Sequence, residues 1–417
     1  MNFYEGDIIK LTEKIKRFDE NPDPFKLKCR IKFYERQLEW RKEQLQAWKD
    51  GKVFADFGLS QRRLSPAMGM YTCARGEIIN ECQEPEKVLE KARALGLPVD
   101  SSCDSVYTAA AMFDSGDIPT EGIVACKQYA CTPEVMQKMF MAHKGNLLYY
   151  CFDSPYEKTD ANVTYLADQF AEAIEYAEKK FPGVVKYDEA KLIEIQERDD
   201  AGYEIRKEIF EMLKHKPCPI NHNHMSLGGP PGGRDPELLA LVRDEIGERI
   251  EKGIFPPAGE KLRIIWTIRD IQYFDAVEFL AEKEAQVIFQ AGGGARYGIP
   301  MPDPVVLFGG RKLTPLEKEA ADSMKFFYGR DADYAVDTII WVAKELQADA
   351  IVNFLVVGCS ATVGLKRLVE ERAEKELGIP TLQLESKLWD TSYTDELTVR
   401  NQLSDFVEMC LSQKVPA

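Results

Sequence analysis

The stretch AIVNFLVV (350–357) is apolar at every position but Asn353, and SATVGLKRLVEERAEKEL, which follows one Gly and one Cys later, carries its apolar residues at helical spacing. An apolar run of that length predicts a strand covered on both faces, and the pattern behind it predicts an amphipathic helix. The same alternation starts near residue 53. There KVFADFG, EGIVAC and NLLYYCF predict strands, and EPEKVLEKARALG, DSVYTAAAMF and TPEVMQKMFMAH predict helices. It returns later in the chain, with KLRIIWTI, AQVIF, AIVNFLVV and TLQLE as strands and AVEFLAEKEA, AVDTIIWVAKEL and a closing segment as helices. Strands alternating with helices predict βαβ units and parallel sheets.

Two stretches break the alternation. Residues 1–50 set Phe33, Leu38, Leu45 and Trp48 among Lys, Arg and Glu, and residues 158–216 read as long helices. NHNHMSLGGPPGGRDP, dense in Gly and Pro, predicts a loop or hinge. The expected fold class is α/β: two Rossmann-like (flavodoxin-like) parallel-sheet domains with a helical N-terminus and a helical connecting section. The expected division is a helical segment over 1–52, a first α/β domain over 53–157, a helical linker over 158–233 and a second α/β domain over 234–417.

Composition narrows the partners. The chain has 417 residues, too many for one ordinary core, and 45% of them are hydrophobic. Its 54 Lys and Arg against 69 Asp and Glu leave a net charge of −15, which argues against nucleic acid or an anionic membrane as the main partner. The first twenty residues lack the apolar core of a signal peptide, and no run of about 18 apolar residues appears, so a cytoplasmic location is expected. Thiols stay reduced there, so the ten cysteines are expected as thiols or metal ligands rather than disulfides.

Three of those cysteines occupy matching places. Cys359 follows the strand ending VVG, Cys131 follows GIVAC by a short turn, and Cys103 follows SS; each stands at or just before a predicted helix start. In a doubly wound sheet, strand C-termini and helix N-termini meet at the ligand-binding edge. Helix N-termini offer unpaired N–H groups and the positive end of the dipole, which favour thiolate and suit an iron–sulfur cluster or a phosphate. For one cysteine alone, core packing is the ordinary role. Spacing does not name a cluster: no C-x2-C occurs, which excludes a four-cysteine zinc ribbon, and the C-x4-C of Cys126 and Cys131 completes neither ferredoxin pattern.

At these residues the chain resembles the 2-hydroxyacyl-CoA dehydratase and benzoyl-CoA reductase family, in its larger-subunit type. The resemblance runs from about residue 50 to 412 and rests on SSCDSVYTAAAMFDSGDIP, ACTPEVMQKMFMAHKGNLLYYCFDSPYE, the helices ending in KHKPCPI, KLRIIWT, and VVGCSATVGLKRLVEERAEKELGIPTLQLESKLWD with the helix behind it. It implies that Cys103, Cys131 and Cys359 hold a 4Fe–4S cluster with one iron site open. It further implies one-electron, ketyl-radical chemistry on a CoA thioester by an oxygen-sensitive enzyme. The partners implied are a related smaller iron–sulfur subunit and an ATP-hydrolysing activator that donates electrons. The chain itself has no G-x-x-x-x-G-K-[ST], so no ATP site is expected in it.

The dehydratase (lyase) and aryl-CoA reductase (oxidoreductase) branches are both open, and GIPTLQLESKLWD leans toward the reductase. A second reading is a non-catalytic iron–sulfur electron-transfer or scaffold subunit, its cluster saturated by an extra thiolate such as Cys126. A third is an α/β binding protein without metal. The chain departs from the family at Glu385-Ser386-Lys387, where the family has Glu, a small residue and Asp, and at Gln402, where it has Arg.

FADFGLSQRRLSPAMGMYTCARGE stands where the family has a Ser-rich active-site stretch. In it Ser60 and Glu77 are candidates to orient substrate or move a proton, beside the plainer reading of a solvated turn. Arg62 and Arg63 are candidates for the CoA phosphates, beside that of a charged helix start. His222 and His224 suggest acid–base or metal chemistry but lie in the Gly/Pro loop. Arg296 and Arg311 stand beside glycines in phosphate-cradle or plain-turn contexts. Cys73, Cys82, Cys126 and Cys151 are candidates for a fourth ligand or for structural thiols, and Cys29, Cys218 and Cys410 read as bystanders.

Overall fold

The computed structural model describes residues 2–20, 26–57, 63–73, 84–104, 106–127, 132–155, 157–220, 235–256, 259–268, 271–291, 311–324 and 332–414. In chain order the elements are α1 (Phe3–Glu20), α2 (Arg30–Lys49), β1 (Phe54–Asp56), α3 (Leu64–Ala67), β2 (Tyr71–Thr72), α4 (Pro85–Ala94), α5 (Thr108–Asp114), β3 (Glu121–Lys127), α6 (Thr132–Lys144), β4 (Asn146–Phe152), α7 (Asp160–Lys180), α8 (Glu189–Met212) and α9 (Pro236–Lys252). They continue with β5 (Leu262–Thr267), α10 (Ala276–Glu282), β6 (Ala285–Ala291), α11 (Pro315–Ser323), α12 (Ala332–Glu345), β7 (Ala350–Val356), α13 (Ser360–Val363), α14 (Lys366–Leu377), β8 (Thr381–Ser386) and α15 (Glu396–Lys414).

The strands form two four-stranded sheets, β2-β1-β3-β4 and β6-β5-β7-β8, and all of their pairings are parallel. This is the expected α/β class. The two orders are the same: in each sheet the first strand lies between the second and the third. The connection therefore reverses direction between first and third strands, which is where a doubly wound sheet opens its crevice.

The chain divides into two compact units, one of residues 1–10, 38–198 and 302–331 and the other of residues 11–37, 199–301 and 332–417. The units cut across the linear segments. Helices α1, α2 and α8 each contribute to both, and residues 302–331, from the later half of the chain, belong with the first sheet.

In the first unit one sheet face buries Ala55, Ile123, Ala125, Leu148 and Phe152 against α7, α11 and the segment around α3. Helix α7 fits because Val163, Leu166, Ala167, Phe170, Ala173, Ile174 and Ala177 recur at three- and four-residue spacing, and its cap Thr159 accepts from the Asn162 N–H. The rings of Phe152 and Phe170 meet edge to face with centroids 4.9 Å apart. Strands β3 and β4 are also covered by α6, which α5 flanks. Close approach of β3 to β1 needs Gly122, because a Cβ there would lie 1.9 Å from the Phe54 carbonyl oxygen.

In the second unit β5 and β7 are buried along their whole length, as their apolar sequences require. Helices α12 and α14 pack together and against the strands, as do α10 and α15. Inside this apolar sheet runs a polar chain. Thr267 Oγ1 donates to Asn353 Oδ1 at 2.9 Å and accepts from the Phe354 N–H, and Asn353 Nδ2 donates to Gln383 Oε1 at 2.8 Å. The one polar residue of AIVNFLVV thus joins β5, β7 and β8.

Candidate functional site

Cys359 lies at the carboxyl end of β7, the third strand of its sheet, three residues past Val356. Gly358, with φ +80°, turns the chain out of the strand. The Cys359 N–H donates to the Val356 carbonyl at 2.9 Å, and its own carbonyl accepts from the N–H groups of Thr362 and Val363 at 3.1 Å. Thr362 Oγ1 accepts from the Val356 N–H at 3.0 Å and donates to the Cys359 carbonyl at 3.2 Å. The thiol is thus held, half-buried, at the mouth of α13 on the strand where the sheet's connection reverses. Next to it in the sheet, β5 ends at Thr267, and Ile268 adopts φ +66°. A β-branched residue there stores about 1–3 kcal/mol of strain, a feature of ligand-binding edges.

The first unit has the same order of strand, cysteine and helix in its sequence. Its third strand, β3, ends at Lys127 and the next helix, α6, opens at Thr132. Cys131 directly precedes that helix in sequence and lies outside the described residues. Cys103 is buried in the connection between α4 and α5; its carbonyl accepts from the Val106 N–H at 3.3 Å. Helix α5 starts at Thr108, so Cys103 stands five residues ahead of it rather than at its first turn.

Beneath the first edge lies a charge cluster that sequence reading missed. Lys138 of α6 is fully buried. Its Nζ donates to the Ala125 carbonyl of β3 at 2.7 Å and pairs with Glu134 at 2.7 Å and Asp56, the last residue of β1, at 3.4 Å. Burial works against the ammonium, but Asp56 and Glu134 outweigh it and hold the Lys138 pKa above the ordinary lysine value. In sequence Glu134 and Lys138 look like a surface i,i+4 pair. The signal that distinguishes them is Asp56, a carboxylate closing a buried strand.

The remaining candidates fall as follows. Ser60, Arg62, Glu77, Cys82, His222, His224 and Arg296 lie outside the described residues. Arg63 is buried, with its Nε 2.6 Å from Glu319 and an Nη 2.8 Å from Asp322, both in the segment that joins the first unit from the later half of the chain. Arg311 forks onto Glu317 at 2.9 and 3.0 Å and bonds Asp160 through its Nε at 3.0 Å, tying α11 to the start of α7.

Cys73 is buried and accepts from the Tyr4 hydroxyl at 3.6 Å. Cys126 lies beside Tyr149 and Cys151, and burial pushes its thiol up to about 12. Burial likewise pushes Cys218 up to about 12 and Cys410 to about 11, and raises Cys29, which leaves these three as neutral thiols. Among the departures, the Ser386 hydroxyl meets the Tyr273 hydroxyl at 3.0 Å, Glu385 accepts from Tyr393 at 2.6 Å, Lys387 is buried and Gln402 is exposed. Among the described residues, no three His, Cys, Asp or Glu side chains gather as a metal site, and no helix is long and apolar enough to cross a membrane.

The comparison with known proteins decides the family. A family model described as 2-hydroxyglutaryl-CoA dehydratase, D-component, matches residues 63–410, most of the chain. The chain belongs to the 2-hydroxyglutaryl-CoA dehydratase D-component family. No curated protein matches it. The larger-subunit resemblance of the sequence is thereby shown, and the matched family is described as a dehydratase component. The donors the sequence offers for an iron–sulfur cluster are Cys103, Cys131 and Cys359, of which Cys131 lies outside the described residues. Thiolates are the ligands that iron–sulfur clusters take, and Cys103 and Cys359 are a buried and a half-buried thiol. The donor chemistry fits such a cluster.

Proposed function

We propose that this chain is the cluster-bearing component of an ATP-activated, oxygen-sensitive 2-hydroxyacyl-CoA dehydratase in the cytoplasm. Cys103, Cys131 and Cys359 would hold a 4Fe–4S cluster with one iron site left for substrate or water. When bound, that cluster would supply single electrons and a Lewis-acidic iron to chemistry at the thioester carbonyl. The chain's own residues do the placing. Arg62 binds the CoA phosphates, while Arg63, already engaged by Glu319 and Asp322, holds the segment that carries Arg62. Ser60 orients the acyl group and Glu77 moves the proton lost with water. Partners in this reading are a related smaller iron–sulfur subunit and a separate ATP-hydrolysing electron donor.

The observation that carries the reading is the equivalence of two cysteines across two sheets of the same strand order. Cys359 follows the third strand of one and precedes the next helix; Cys131 has the same place in sequence relative to β3 and α6. Electron paramagnetic resonance of the anaerobic, reduced chain with and without a 2-hydroxyacyl-CoA tests it. A signal that shifts with the 2-hydroxyacyl-CoA supports the dehydratase, and one that moves only with an aryl-CoA favours the reductase branch. A signal unmoved by every acyl-CoA points to a non-catalytic relay or scaffold subunit, and no signal, with no iron, removes the proposal.

A further inference from the structure

Cys126 and Cys151 are partners in the β3–β4 register. Residues opposite one another on neighbouring strands project to the same face, and strands run about 4.8 Å apart. That lies inside the Cα separation of about 4.4–6.8 Å that a disulfide spans. The two sulfurs stand 3.8 Å apart, against about 2.05 Å in a disulfide, so a small approach of the two side chains brings them to bonding distance. The pair is asymmetric. Cys151 is exposed on β4, which ends its sheet among the described strands, whereas Cys126 is buried, 3.4 Å from the Tyr149 hydroxyl and close to Lys138.

We propose that Cys126 and Cys151 form a dithiol–disulfide site that reacts with low-molecular-weight disulfides. The order of events follows from accessibility. The Cys151 sulfur attacks a small disulfide RSSR, forming Cys151–S–SR and releasing one RSH. The Cys126 sulfur then attacks the Cys151 sulfur, the S–SR bond breaks, and a second RSH leaves. The two thiols lose two electrons and two protons in total, and RSSR takes both up as two RSH. The buried position of Cys126 shields it from direct attack and puts it within reach of only one mixed disulfide, that on Cys151. The product ties β3 to β4 near the end of the strand that leads to Cys131; that this bears on cluster loading rests on the proposed function, but the bond itself does not.

The test is thiol mapping on the full chain incubated with oxidised glutathione, trapped with an alkylating reagent and digested without reduction. The expected result is a linked Cys126–Cys151 peptide pair, two hydrogens lighter than the separate peptides. In Cys126→Ser the reaction is expected to stop at a glutathione adduct on Cys151, and in Cys151→Ser Cys126 is expected to stay alkylatable. The proposal is overturned if wild-type Cys151 accumulates as the glutathione adduct while Cys126 remains a thiol. It is equally overturned if both thiols survive untouched while an exposed control thiol reacts. Because the readout is the linked peptide, it is independent of whether the chain holds iron, and a failure here leaves the cluster reading standing.

Discussion

The Nζ of Lys138 lies 2.7 Å from the carbonyl oxygen of Ala125, so a fully buried ammonium on α6 is bonded to the backbone of β3. The same group pairs with Asp56 at the end of β1 and with Glu134 in the first turn of α6. One charge therefore joins the two strands between which the connection reverses and the helix that Cys131 precedes. Lys138→Met keeps the side chain's bulk but leaves Asp56 and Glu134 without this cation. The expected loss is about 3–5 kcal/mol of unfolding free energy by urea titration. A loss under about 1 kcal/mol would show that the cluster is not a stabilising joint.

Arg62 and Arg63 are neighbours with separate expected effects. Arg63→Met strands Glu319, which is fully buried, and a drop of about 3–5 kcal/mol in stability is expected. If Arg62 holds a CoA phosphate as proposed, Arg62→Ala loses a charge-assisted contact of about 1.5–3 kcal/mol and is expected to raise KM for the acyl-CoA roughly 10- to 100-fold. Steady-state kinetics with the full-length CoA substrate and with a phosphate-lacking thioester separates the two. If Arg62→Ala weakens both substrates alike, phosphate binding is not its role.

Glu317 links Arg311, the Thr164 hydroxyl and the Thr314 N–H at the start of α11. The bonds from Arg311 hold its carboxyl at about 2, against burial, which alone would raise it. A carboxylate depressed in the folded state adds stability that is fully present above the unfolded value, about 4.3, and is lost as pH falls toward the folded value. Wild type is therefore expected to exceed Glu317→Gln in Tm at pH 7, with the difference shrinking between pH ~4.5 and ~2. A difference independent of pH would contradict the assignment.

Much of the fold could be read from local pattern because most of its strands are short apolar runs, buried along their whole length in β5 and β7. AIVNFLVV, EGIVAC and NLLYYCF became β7, β3 and β4, and AQVIF extends two residues further, to Ala291. β2, only two residues long, is too short to carry a period. The segment after Cys359, read as one helix, is two, α13 and α14, broken around Gly364 and Leu365. Helix α5 starts four residues later than DSVYTAAAMF suggests.

The ion pairs were out of reach for another reason. Arg63 finds Glu319 more than 250 residues away, and nothing local marks either as the other's partner. At the site, strand–cysteine–helix order was legible at Cys359. Lys138 was not, because an i,i+4 Glu–Lys pair looks the same in sequence whether it faces water or a sheet.

Iron and acid-labile sulfide, counted on anaerobically purified wild type and on Cys103→Ser, Cys131→Ser and Cys359→Ser, test the central claim most directly. About four iron atoms per wild-type chain are expected, as a 4Fe–4S cluster requires, with marked loss in each variant whose far-ultraviolet circular dichroism stays native. Wild type without iron, or three folded variants that keep the full complement, would contradict it.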